Sequence, residues 1–171
     1  MFREPMSELA AQLRQSTGAE MIEEWEVTEL ETEQGRLRSR LLSDVWEQAM
    51  HRGDQVTASG AFGTCTGTVD YVGKDYSVVR SADTVWDVRL AAVTVSVRQS
   101  SHGGHTVRGG SRTLRARLAE YEASGEAVVV HLTHTTVQGV VRVSATDHVR
   151  LASDREVVVP LETIHAISRS V

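Results

Sequence analysis

The stretch GVVRVSATDHVRLASDREVVVPLETI, Gly139 to Ile164, alternates apolar and polar residues and sets Asp147 at the turn after its first valine-rich run. A looser copy, GTVDYVGKDYSVVRSADTVWDVRLAAV, Gly67 to Val93, begins 72 residues earlier. Laying residue i on residue i+72 places Gly53 on Gly125, Asp54 on Glu126, Val56 on Val128, Val69 on Val141 and Asp75 on Asp147. One residue added near Thr84 then brings Val88–Val93 over Val159–Ile164. Self-similarity at a fixed offset means two copies of one supersecondary unit.

Both copies read alike. A helical segment comes first, with Leu42, Val45, Trp46 and Ala49 on one face in the first copy and Leu114, Leu118 and Tyr121 in the second. Gly53 and Gly125 then stand where a left-handed residue ends a helix. Period-two alternation follows: Val128, Val130 and Leu132 point one way, and Val137, Gly139, Val141 and Val143 continue on the next strand. A glycine midway along the second strand permits a sharp bend. One helix and about five short strands per copy describe a small closed barrel. The expected fold is therefore mainly β with N-terminal helices: two tandem small barrels, each preceded by a helix, with Val56, Val69, Val128, Val130, Val141 and Val143 inside.

The rhythm of glycine, apolar residues and aspartate (GTVDYVGKD, GVVRVSATD), with the closing runs VRLAAV and VPLETIHAI, resembles the Sm and Sm-like family, bacterial Hfq included. The resemblance covers residues 41–97 and 113–170 and implies an SH3-like barrel in each. The family reads RNA beside the aspartate of the third loop and at the start of the last strand. Here Val78 and Arg150 occupy its asparagine position, and Leu90-Ala91 and Leu161-Glu162 replace its Lys-His pair, so the resemblance in fold does not bring the RNA site with it. The chain also resembles a group of actinobacterial proteins, some labelled Fis-type transcription regulators. That label finds no support, because Fis-type proteins end in a helix-turn-helix and the last residues here read as strands.

Four segments are expected: an acidic, helical N-terminal segment at 1–40, the first helix and barrel at 41–97, a flexible linker at 98–112 and the second helix and barrel at 113–171. The linker RQSSHGGHTVRGGSR holds four glycines and three serines. Residues 19–40 read as a helix, with an extended segment as the alternative. Net charge is −5, and only residues 98–171 lean basic, with 9 basic and 7 acidic side chains. A generic electrostatic nucleic-acid binder needs a stronger excess. No apolar run is long enough for a membrane span and no secretory signal opens the chain, so a cytoplasmic protein without a membrane partner is expected. The single cysteine, Cys65, agrees with a reducing compartment.

The candidate chemistry is thin. His102 with His105 and His131 with His134 lack the cysteine or carboxylate companions of a closed metal site, so no metal is expected. GAFGTCTGTVDYVGKD has the wrong spacing for a phosphate loop, and no cofactor is expected. No base, orienting group and oxyanion donor assemble around Cys65, which aligns with inward-facing Val137 and suits a buried apolar role; the chain reads as no enzyme. Asp75 and Asp147 suit turn caps. Tyr76 and His148 could stack on bases or be partly exposed loop residues. The favoured expectation is a non-catalytic interaction and assembly module with a regulatory role and a protein partner. The alternative is an RNA- or DNA-binding regulator using Arg98, Arg108, Arg112, Arg115, Arg117, Arg142 and Arg150. The Sm-like resemblance implies open edges on the fourth and fifth strands, and these should pair between the two units, either through the strand ending at Val97 or through its equivalent after Ile164. Pro160 removes a backbone donor from a closing strand, so a monomer or dimer is expected, with a trimer imitating a six-barrel ring as the alternative.

Overall fold

Both glycines expected to end a helix do so. In the computed structural model, which describes residues 33–100, 103–104 and 110–171, helix α1 (Leu42–Arg52) stops at Gly53 with φ 68° and helix α2 (Leu114–Ser124) at Gly125 with φ 66°. The chain divides into Met1–Arg40 and Leu41–Val171. In the first unit residues 33–39 are helical; the rest of the expected acidic segment, residues 1–32, lies outside the described residues. The same holds for 101–102 and 105–109 of the expected linker, Arg108 included.

Ten antiparallel strands follow the two-residue alternation: β1 (Gln55–Gly60), β2 (Gly63–Val72), β3 (Tyr76–Arg80), β4 (Thr84–Arg89), β5 (Val93–Arg98), β6 (Ala127–His131), β7 (Thr136–Ser144), β8 (His148–Ala152), β9 (Glu156–Pro160) and β10 (Ala166–Ser170). They form one open sheet in the order β5-β1-β2-β3-β4-β10-β6-β7-β8-β9. Each half keeps the same internal order, and the halves join where β10 inserts between β4 and β6. Of the two edge pairings expected between units, the one made is that of the strand after Ile164.

The repeat extends to backbone detail. Gly73 N donates to Tyr76 O at 2.8 Å, as Ala145 N does to His148 O at 2.9 Å; Leu90 N donates to Asp75 O at 3.0 Å, as Leu161 N does to Asp147 O at 2.8 Å. The one-residue difference falls in the β3–β4 and β8–β9 turns, where Arg80 faces Val85 but Ala152 faces Glu156. Glycine is required on the second strands: a Cβ at Gly67 would lie 2.1 Å from Arg80 O, and one at Gly139 2.4 Å from Ala152 O.

Two apolar clusters form, and they are not divided between the halves. The first gathers Trp46, Met50, Val56, Val69, Val79 and Val88 around α1. The second gathers Leu114, Leu118, Val128, Val141, Leu151 and Ile167 around α2, and also takes Tyr76, Val78 and Val85 from the first half. Five of the six expected interior valines are buried, but Val143 is 41% exposed. The ladder skips Arg142 between Val141 and Val143, as it skips Asp70 in β2. Such a bulge reverses the alternation and turns Val143 outward. Leu42, expected on the buried face of α1, is 40% exposed.

Val141→Asp should therefore strand a charge in the second cluster and cost about 3 kcal/mol or more, whereas Val143→Asp should cost about 0.5 kcal/mol or less. Urea denaturation of the two variants measures this, and equal losses would show that the bulge is misplaced.

Candidate interaction surface

Strand β4 carries Trp86 and Asp87 in succession, so the two side chains leave on opposite faces of the sheet. On one face Trp86 lies 4.9 Å from the His131 ring and 5.8 Å from Phe62. Between them His131 Nε2 lies 2.8 Å from Ser168 Oγ on β10. Burial lowers the His131 pKa, so the imidazole there is neutral at pH 7.

On the other face Asp87 is fully buried beneath α2. Tyr121 donates its hydroxyl hydrogen to Asp87 Oδ2, and Arg117 Nε donates to the same oxygen at 3.2 Å. The Arg117 guanidinium also stands 4.8 Å above the Tyr121 ring and bonds Glu120 Oε2 at 2.6 Å. Asp87 Oδ1 has no hydrogen-bond partner among the described residues. Burial pushes the Asp87 carboxyl up, and the Arg117 charge only partly reverses this. For Arg117, burial alone would depress the guanidinium, but Asp87 and Glu120 hold it above its ordinary range. The two directions are compatible because Arg117 keeps 20% of its side chain in water while Asp87 keeps none, so the carboxyl bears the desolvation.

The loop before β3 completes the junction. Asp75 Oδ1 accepts from Leu114 N at 2.8 Å and so caps α2, to which Thr113 Oγ1 adds a second cap by accepting from Ala116 N. Tyr76 donates its hydroxyl to Ser111 O at 2.9 Å, Tyr71 to Gly110 O at 3.2 Å, and Lys74 N to Arg112 O at 2.7 Å.

Among the described residues, no helix or loop docks on the same positions of the second half. The ladders put Val158 in the place of Asp87, and Val158 is 54% exposed. The Asp147 side chain, in the place of Asp75, is 87% exposed and lies 2.7 Å from the neighbouring His148 Nδ1. At the opposite end of the sheet β5 pairs with β1 and leaves Val97 39% exposed, and Leu41, just before α1, and Leu42, its first residue, are 67% and 40% exposed. Among the described residues no strand pairs with the outer side of β5 or β9.

The structure spreads the sequence-derived contacts instead of collecting them. Tyr76 opens β3 and is buried, so its ring offers no face to a base. His148 is half-buried beside Asp147. Arg117 is held by Asp87 and Glu120, and Arg150 lies 3.2 Å from Glu156. Arg112, Arg115 and Arg142 are exposed on different elements. Arg98 ends β5 and lines an open cleft of about 550 Å³ with Gln55, Thr66, Thr68, Arg80 and Ser81. Arg80 there is paired with Asp70. Burial raises the Cys65 thiol to about 11, so it is protonated at pH 7 and a poor nucleophile. Among the described residues no group of three His, Cys, Asp or Glu could hold a metal, and no helix is long and apolar enough to cross a membrane.

Sequence reading missed Asp87, Tyr121 and the Trp86–His131 pair. The repeat held one usable signal: Asp87 stands in an apolar strand whose copy has Val158. No protein-family model matches this chain, and no curated protein matches it.

The raised Asp87 carboxyl fixes a pH dependence. Folded Asp87 holds its proton to higher pH than the unfolded chain does, so its contribution to stability is complete below about pH 4 and is lost as pH rises through the folded value. Asp87→Asn should remove that slope. Urea denaturation of both proteins from pH 4 to 7 should show their stability difference changing with pH; a constant difference would show an ordinary carboxyl. Tyr121→Phe, which withdraws one partner from the buried oxygen, should cost about 1–3 kcal/mol at pH 7 by the same method.

Proposed function

We propose that this chain is a non-catalytic, regulatory assembly protein built from two tandem Sm-like small barrels, which offers its two unpaired sheet edges to a protein partner. The observation that carries this reading is the matched pair of open ends. β5 and β9 bear exposed apolar side chains, Val97 and Val158, and among the described residues no strand pairs with their outer sides; such an edge is a ready template for another chain. The barrel reading is supported by the shared strand order of the halves, the bulge at the same place in β2 and β7, and the 3-10 turns Leu90–Ala92 and Leu161–Thr163 before the last strands. The neutral, buried thiol of Cys65 supports a non-catalytic role.

A second reading, RNA or DNA binding, draws on the cleft that Arg98 and Arg80 line. Filter binding with single-stranded RNA and with duplex DNA over a salt series separates the two. Phosphate contacts make affinity fall steeply with salt. The assembly reading expects no retention even at low salt; tight, salt-sensitive retention would falsify it.

A further inference from the structure

Four cross-strand neighbours form one row across the first half: Arg98 of β5 faces Gln55 of β1, Gln55 faces Thr68 of β2, and Thr68 faces Arg80 of β3. Ladder partners put their side chains on one face, so two guanidinium groups flank an amide and a hydroxyl. Three strand spacings, about 14 Å, separate the two arginine backbones. All four residues line the open cleft, which Thr66 and Ser81 extend. One wall is fixed by Ser100, whose N–H donates to the buried Asp54 at 2.8 Å.

The charge of this cleft runs against that of the chain. Net charge is −5, yet two arginines and no carboxylate line the cleft. Asp70, outside the lining, accepts from Arg80 Nε at 2.5 Å, a bond that orients the guanidinium without using its two terminal nitrogens. Arg98 is exposed at the sheet edge, and no ion pair among the described residues holds it.

The fold does not require this row. In the second half the ladders put Ala127, Val140 and Ala152 in the places of Gln55, Thr68 and Arg80, and Arg142 stands at the bulge where the first half has Asp70. The same strands pair there without the amide, the hydroxyl or the ion pair, so packing alone does not account for the polar row of the first half.

We infer that the cleft binds a small phosphorylated polyhydroxyl compound, a sugar phosphate in class, with Arg80 and Arg98 on the phosphate and Gln55, Thr66 and Thr68 on the hydroxyls. Guanidinium groups grip phosphate oxygens through paired N–H donors. Amide and hydroxyl side chains both donate and accept, as sugar hydroxyls require. A volume of about 550 Å³ is that of a small-molecule site. No aromatic residue lines the cleft, so a nucleobase finds no ring to stack on, which disfavours single-stranded nucleic acid as the occupant. Neither Asp75 nor Leu90, the positions beside which the Sm-like family reads RNA, lines it. The cleft goes beyond the assembly reading: its ligand sits on a sheet face and needs no partner at either edge.

Isothermal titration calorimetry of the full chain at low salt tests this, with glucose 6-phosphate, ribose 5-phosphate, inorganic phosphate, glucose and a short oligoribonucleotide as probes. At least one sugar phosphate should bind, about tenfold or more tightly than phosphate or glucose. Arg98→Gln and Arg80→Ala should each weaken it about tenfold or more, the loss of one charge-assisted contact. Arg98 is exposed and Arg80→Ala copies Ala152, so both variants should fold, as circular dichroism would report. Thr68→Val, which copies Val140 and keeps both charges, should weaken the sugar phosphate and leave phosphate affinity unchanged. Arg142→Gln, remote in the second half, should change nothing. Failure of both sugar phosphates to bind overturns the inference, as does an affinity that folded Arg98→Gln and Thr68→Val leave unchanged, an equal loss in Arg142→Gln, or tighter binding of the oligoribonucleotide than of either sugar phosphate.

Discussion

The insertion of β10 between β6 and β4 is the contact on which the rest of residues 41–171 depends. It makes ten strands one sheet, and it fixes α2 above β4, where Asp87 is buried. Removing a carboxylate from water is costly, and that cost is offset only if its partners are held in place. Tyr121 and Arg117 sit one helical turn apart on α2, so the helix must lie in one rotation and one register to reach Oδ2 together. The Asp75 cap on Leu114 N fixes the start of the same helix. One helix of the second half is thus set by two carboxylates of the first half.

The apolar packing follows from that docking. Tyr76, Val78 and Val85 leave the first half's sheet on the side that α2 covers and complete the second cluster. The Trp86–His131 contact closes the opposite face of the same three strands. A buried ion pair is weak evidence for stability in itself, since apolar replacements of similar shape often do as well. It excludes other helices more effectively, because a helix without groups to match Asp87 would leave the carboxylate unsatisfied.

Sequence by itself determined the local structure. Alternation of Val128, Val130, Val141 and their copies set the strands, Gly53 and Gly125 ended the helices, and the offset of 72 gave the repeat, because each depends on neighbours within a few residues or on direct comparison of two copies. Val143 escaped the reading because a bulge moves one residue out of phase without changing composition. The joining of both halves in one open sheet, the burial of Tyr76 and the cover over Asp87 were decided only by tertiary structure. A strand's sequence records which faces are apolar, but not which strand lies alongside it, and Asp87 and Tyr121 meet across 34 residues. The same limit scattered the arginines: their number and order are written in the chain, while the carboxylates that claim Arg117 and Arg150 are chosen by packing.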